Sequence, residues 1–185
     1  MDSQYIASSG PVRGLNQNRA SQPNVSYSDH MINIIKSTYL SDGQEGDFSW
    51  MITQPHYART LFVFNDNEGE FYAHFRGGQH RCSNGGGNAG IRSYQCKPEP
   101  QAVGIPTGTY VRGPHYKGYS SLDEQVTRAI ADSISQIDAL LATGRYTDLA
   151  FSWDDETKFG GRIFNTAQVV RDHIVDQIFE VVGRW

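Results

Sequence analysis

The clearest pattern in the chain is a helical one. Between Ser121 and Gly144 the apolar residues Leu122, Val126, Ile130, Ile134, Ile137 and Leu141 recur three or four positions apart, which puts them on one face of a helix. Ser121 and Glu124 stand in capping-box spacing at its start, and Gly144 is the expected stop. A last helix is predicted over 165–182 from the stripe Val170, Ile174, Ile178 and Val182. A shorter one is predicted in "HMINIIKSTYL", capped by Ser28 or Asp29, with Met31, Ile34, Ile35 and Tyr39 on one side.

Other stretches read as strands. "RTLFVF", Arg59 to Phe64, is a continuous apolar run, the pattern of a strand buried on both faces. "QAVGIPTG" predicts a short strand from Ala102 to Ile105, stopped at Pro106, and "DLAFSW" one from Leu149 to Trp153. "EFYAHF" predicts a weaker strand. Strands alternating with helices imply an α/β fold with a mostly parallel central sheet. Phe62, Phe64, Val103, Ile105, Leu149 and Phe151 are its expected core. Residues 1–27 are polar and lack a sustained period, so they read as an N-terminal arm ahead of a single domain over 28–185.

Composition narrows the field of partners. At 185 residues the chain suits one domain with a full core. The net charge is -4, and no lysine-arginine cluster stands out, so nucleic acid is a poor expectation. Apolar runs fall well short of the ~20 residues of a spanning helix, which argues against a membrane partner. The start, "MDSQYIASSGPVRG", lacks the pattern of a signal peptide. An intracellular, cytoplasmic protein is expected, with Cys82 and Cys96 as reduced thiols. The polar arm offers a route to homo-oligomers.

In a parallel sheet, ligands bind beyond the C-terminal ends of the strands. The unusual polar segments of this chain fall there: "NDN" after the first strand, "PTG" after the second, "WDD" and then "GG" after the third. Between the first two strands lies "SNGGGNAGIR". Gly85, Gly87 and Gly90 fit G-x-G-x-x-G, but no buried strand precedes them, so a dinucleotide fingerprint is not supported. A more general mechanism remains open. Glycines expose backbone N–H groups, and a helix starting near Asn88 would attract an anion, with Arg92 as counter-charge. The same run reads equally as a surface loop.

The other segments carry the same two readings. Asn65, Asp66 and Asn67 can end a strand in turn chemistry, or bind an amino group or a ribose hydroxyl. Asp154 and Asp155 are a candidate base or a solvated turn; neighbours on a strand point to opposite faces. Gly160, Gly161 and Arg162 form either a second cradle or a turn. His74, His80, Cys82 and Cys96 lack paired zinc-ligand spacing, so no metal or cofactor is expected.

Four pieces, "LFVFNDN", "GGGNAGIR", "AVGIPTG" and "LAFSWDD…GGRIF", occur in the order of a macro domain. From Arg59 to the C-terminus the chain resembles that family, in particular bacterial and phage members with a strand ending in "DN", a glycine-rich loop and an "IPT" strand end. The resemblance implies a three-layer α/β/α fold that binds ADP-ribose or a related NAD-derived nucleotide, with hydrolysis of an ADP-ribose linkage as a further expectation. Taken with the strand-end readings above, Asp66 and Asp154 are the candidate catalytic residues. Asn65, Asn67, Gly85, Gly86, Gly87, Asn88, Arg92, Thr107, Gly160, Gly161, Arg162 and Ile163 become the candidate ligand-binding residues. The polar arm has no counterpart in the family, and the asparagine-containing strand end of hydrolytic members reads differently here. The alternative is a protein-interaction module that keeps the fold without a nucleotide pocket.

Overall fold

The structure, a computed structural model, describes residues 31–38, 43–75, 82–110, 116–160 and 165–185. The N-terminal arm, His80, Gly161, Arg162 and Ile163 lie outside the described residues. The strands are β1 (Asn33–Ser37), β2 (Thr60–Asn67), β3 (Ala102–Tyr110), β4 (Tyr116–Gly118), β5 (Asp148–Asp154) and β6 (Lys158–Phe159). The α-helices are α1 (Phe48–Met51), α2 (Glu68–Phe75), α3 (Glu124–Leu141) and α4 (Gln168–Val182). A long 3-10 segment, Gly87–Cys96, follows the glycine run.

The sheet order is β1-β5-β2-β3-β4. β1, β5, β2 and β3 run parallel, while β4 pairs antiparallel with β3 and β6 with β5. The fold is therefore mixed α/β with a mostly parallel sheet, as the alternation of patterns implies. Phe62, Phe64, Val103, Ile105, Leu149 and Phe151 are all buried, at 3% exposure or less. β2 and β5, the most apolar strands, sit inside the sheet, where both of their faces are covered.

The two faces gather different residues. Leu61, Val63, Val103, Ile105, Leu149 and Phe151 pack with the apolar stripes of α3 and α4. Phe62, Phe64, Ala102 and Ala150 pack with Phe48 and Met51 of α1 and with Ala89 and Ile91 of the 3-10 segment. This is the period-two alternation of strands.

Two expected elements change type. "HMINIIKSTYL" contains strand β1 rather than a helix. Its paired isoleucines serve opposite faces: Ile34 packs against the α3/α4 core and Ile35 against the other. Pairing with β5 over Asn33–Ser37 wins over a weak helical period. "EFYAHF" lies in helix α2 rather than a strand. Phe71 and Phe75, four residues apart, stack at 5.7 Å between ring centroids, and the Asn67 side chain accepts the Gly69 N–H at 2.8 Å.

Smaller corrections concern ends. Asp123, not Ser121, caps α3, its carboxylate accepting the Val126 N–H at 2.9 Å. Gly144 closes the helix in the left-handed region, at φ 67°, as a C-terminal glycine does. Pro106 does not stop β3, which continues to Tyr110. The pairing with β2 shifts register between Asp66 and Asn67, beside Pro106, and such an irregularity accommodates a residue with no N–H to give.

Candidate functional site

β2 delivers Asn65, Asp66 and Asn67 to its C-terminal end. All three are buried, at 3% exposure or less. They belong to the strand itself rather than to a turn after it.

Asp66 is the centre of the arrangement. Its Oδ1 accepts from Arg92 Nη2 at 2.5 Å, from Arg92 Nε at 3.2 Å and from the Asn67 N–H at 2.8 Å. Its Oδ2 makes no hydrogen bond among the described residues. Burial raises the Asp66 carboxyl above its ordinary value, and the Arg92 charge opposes that rise. A buried pair of this kind is costly to form and more costly to break, because each partner alone would be an uncompensated charge.

Arg92 comes from the 3-10 segment and is itself only 6% exposed. Its Nη1 also donates to the Ser83 carbonyl at 3.1 Å. The expected counter-charge for a ligand is thus paired with Asp66. The same contact explains Gly85, where a Cβ would lie 3.1 Å from Arg92 Nη1 and Nη2 and 2.9 Å from Ala89 Cβ. The backbone there must come close to a guanidinium of the protein. Gly86 differs. It is extended, at φ -82°, and a Cβ there would meet no described atom within 4 Å. Gly87 takes φ 57° at the start of the 3-10 segment, a conformation that favours glycine.

Two further candidate residues, Thr107 and Asn88, are also buried, and Asn65 has a close neighbour. Thr107 of β3 is buried beside Asp66, its Oγ1 donating to the Asp66 carbonyl at 3.5 Å. Asn65 lies so close to Gly160 that a Cβ at Gly160 would collide with its Nδ2. Gly160 takes φ 76°. Asn88 is buried in the 3-10 segment. Asn65 Oδ1, Asn67 Nδ2 and Asn88 Nδ2 make no hydrogen bond among the described residues. Buried polar atoms are seldom left so in a folded protein.

Of the expected residues, direct contacts therefore bring together Asn65 with Gly160, Asp66 with Arg92 and Thr107, and Arg92 with Gly85. Asp154 lies in a different setting. Its Oδ1 accepts from the Glu156 and Thr157 N–H groups, each at 3.0 Å, and from Thr157 Oγ1 at 3.2 Å. It shapes the turn between β5 and β6.

Beyond Asn67 the character of the surface changes. Glu68 accepts from Tyr119 at 2.7 Å and from Gln125 at 2.6 Å. It lines an open groove of about 840 Å³ between α2 and α3, with Tyr72, Asp123, Arg128 and Asp132. Burial, aided by Glu68, raises the Tyr119 hydroxyl above its ordinary value. Burial, aided by Asp132, does the same to Tyr72. Among the described lining residues, carboxylates outnumber the one cation, Arg128.

The expectation of two reduced thiols is overturned. Cys82 and Cys96 form a disulfide, with Cα atoms 5.9 Å apart. Their Cα separation lies inside the range a disulfide spans. The bridge closes the segment that carries the glycines and Arg92. The readable signal was one cysteine on either side of a glycine-rich run, 14 positions apart. His74, at the end of α2, lies beside this bridge, its Nδ1 3.7 Å from Cys96 Sγ. Burial lowers the His74 imidazole below its ordinary value. No described helix is long and apolar enough to cross a membrane.

Comparison of the chain with protein-family models, with curated proteins and with solved structures gave no match.

Proposed function

We propose that the chain binds a phosphate-bearing nucleotide, ADP-ribose or a related NAD-derived molecule, in a three-layer, macro-domain-like arrangement. One observation carries the reading. Asn65, Asp66 and Asn67 follow one another at the C-terminal end of a central parallel strand, each buried and each with a polar atom unpaired among the described residues. That is where α/β sheets bind ligands, and an amide or carboxylate oxygen without a partner suits an amino group or a hydroxyl. The open surface over Gly86 suits the close approach of a phosphate. For a bond-breaking activity, Asp66 is the better placed carboxylate, since its Oδ2 has no partner among the described residues. Asp154 is occupied by its turn.

The inward-facing Asp66–Arg92 pair favours the second reading, an interaction module that uses these residues only to hold the fold. Calorimetry with ADP-ribose, NAD and AMP separates the two. Nucleotide binding predicts saturable heat for at least one of them, lost in Gly86→Val with little change in Tm, because a Cβ there meets no described atom within 4 Å. Absence of heat for all three, with no rise in Tm, supports the interaction module.

A further inference from the structure

We propose that Cys82, Cys96 and His74 become a three-ligand site for a soft divalent cation, zinc above all, once the disulfide is reduced. The chain would then alternate between a cross-linked and a metal-bound form of the same loop. The ligating atoms of these three residues all lie within 4.8 Å of one another. Tetrahedral zinc, with Zn–S about 2.3 Å and Zn–N about 2.0–2.1 Å, sets its ligand atoms about 3.6 Å apart for N and S and about 3.8 Å for two sulfurs. His74 Nδ1 already stands 3.7 Å from Cys96 Sγ. The two cysteine Cα atoms, 5.9 Å apart, let the sulfurs separate to that distance by side-chain rotation. Two thiolates and an imidazole form a donor set that selects zinc over magnesium or calcium.

The chemistry balances in two steps. A dithiol reductant gives two electrons and two protons to the Cys82–Cys96 bond and leaves as its own disulfide. The cation then takes both sulfurs as thiolates, and two protons go to solvent. The fourth position stays open to water, as in sites with three protein ligands.

The test uses the full chain, either oxidised or reduced with dithiothreitol and desalted anaerobically, and titrated with Co²⁺ alone. The reduced chain should develop a thiolate-to-cobalt charge-transfer band and tetrahedral ligand-field bands. Both should saturate at one equivalent and disappear when Zn²⁺ is added. The oxidised chain should show neither. His74→Gln should lower the affinity at least about tenfold. His74→Cys should keep binding with a stronger charge-transfer band, and it decides the matter if His74→Gln does not fold. No band in the reduced chain, equal binding by the oxidised chain, or a His74→Cys band of unchanged intensity would overturn the proposal.

Discussion

One face of the sheet lies against α3 and α4, the other against α1 and the 3-10 segment, and the two are held by different means. On the first, long helices lay continuous apolar stripes over Leu61, Val63, Val103 and Phe151. On the second, a helix of four residues and a 3-10 run cover Phe62 and Phe64. Here cross-links supplement apolar contact: the Asp66–Arg92 pair and the Cys82–Cys96 bridge. Short helices bury little area, so a few specific bonds fix the segment that carries the glycines. Asp66, Arg92 and the glycine run belong to the second face, and their arrangement depends on those bonds.

The largest expected effect breaks the ion pair. Asp66→Asn leaves Arg92 charged and buried, which should cost about 3–5 kcal/mol in chemical denaturation. The pH dependence gives the sign of the carboxyl's own contribution. Its folded pKa is raised above the ordinary 3.8, so between the two values the folded chain holds a proton that the unfolded chain has released. Stability from this group is therefore fully present below 3.8, falls as pH rises to the folded value and is level above it. The Asp66→Asn variant should lack that fall. A fall of equal size in Asp66→Asn and wild type would contradict the raised pKa.

Next in size is the bridge. Reduction, or Cys82→Ser with Cys96→Ser, should lower stability by about 3 kcal/mol for a loop of this length. The loss should be local. Amide exchange should accelerate over 83–95 and stay unchanged in α3, whose contacts lie on the other face. Equal acceleration in both would show that the two faces are not separately held.

The apolar face was legible in the sequence, and the cross-linked face was not. Val126, Ile130, Ile134, Ile137 and Leu141 repeat at helical spacing, and all are buried where the pattern puts them. The runs around Phe62, Val103 and Phe151 became interior strands for the same reason. Burial leaves a period, and a period can be read. Ion pairs and disulfides leave none: Asp66 and Arg92 are 26 positions apart and join only through the fold. Arg92 was expected as a ligand's counter-charge, and its pairing with Asp66 was not foreseen. The candidate residues of β2 and β3 were legible as polar positions at the sheet's C-terminal edge, whereas the partner of each was not. β1 and α2 were misread because short segments carry too few repeats to separate a period of two from one of 3.6.

The smallest expected effect separates two adjacent glycines. Gly85→Val presses on Ala89 and Arg92 and should cost about 1–3 kcal/mol. Gly86→Val should leave stability within about 0.5 kcal/mol of wild type. Equal Tm losses in the two variants would mean that Arg92 does not lie over Gly85.

Asp66 also constrains a position on the strand beside it. On β3, a Cβ at Gly104 would lie 2.6 Å from Asp66 Oδ2 and 3.0 Å from Asp66 Cβ. A side chain at 104 therefore needs two neighbours to give way, Asp66 and the Phe64 ring, whose Cζ would lie 3.1 Å from the new Cβ. Neither Asp66 nor Arg92 can be lost alone without stranding the other's buried charge. Three positions far apart in the sequence, 66, 92 and 104, are thus free to diverge only together.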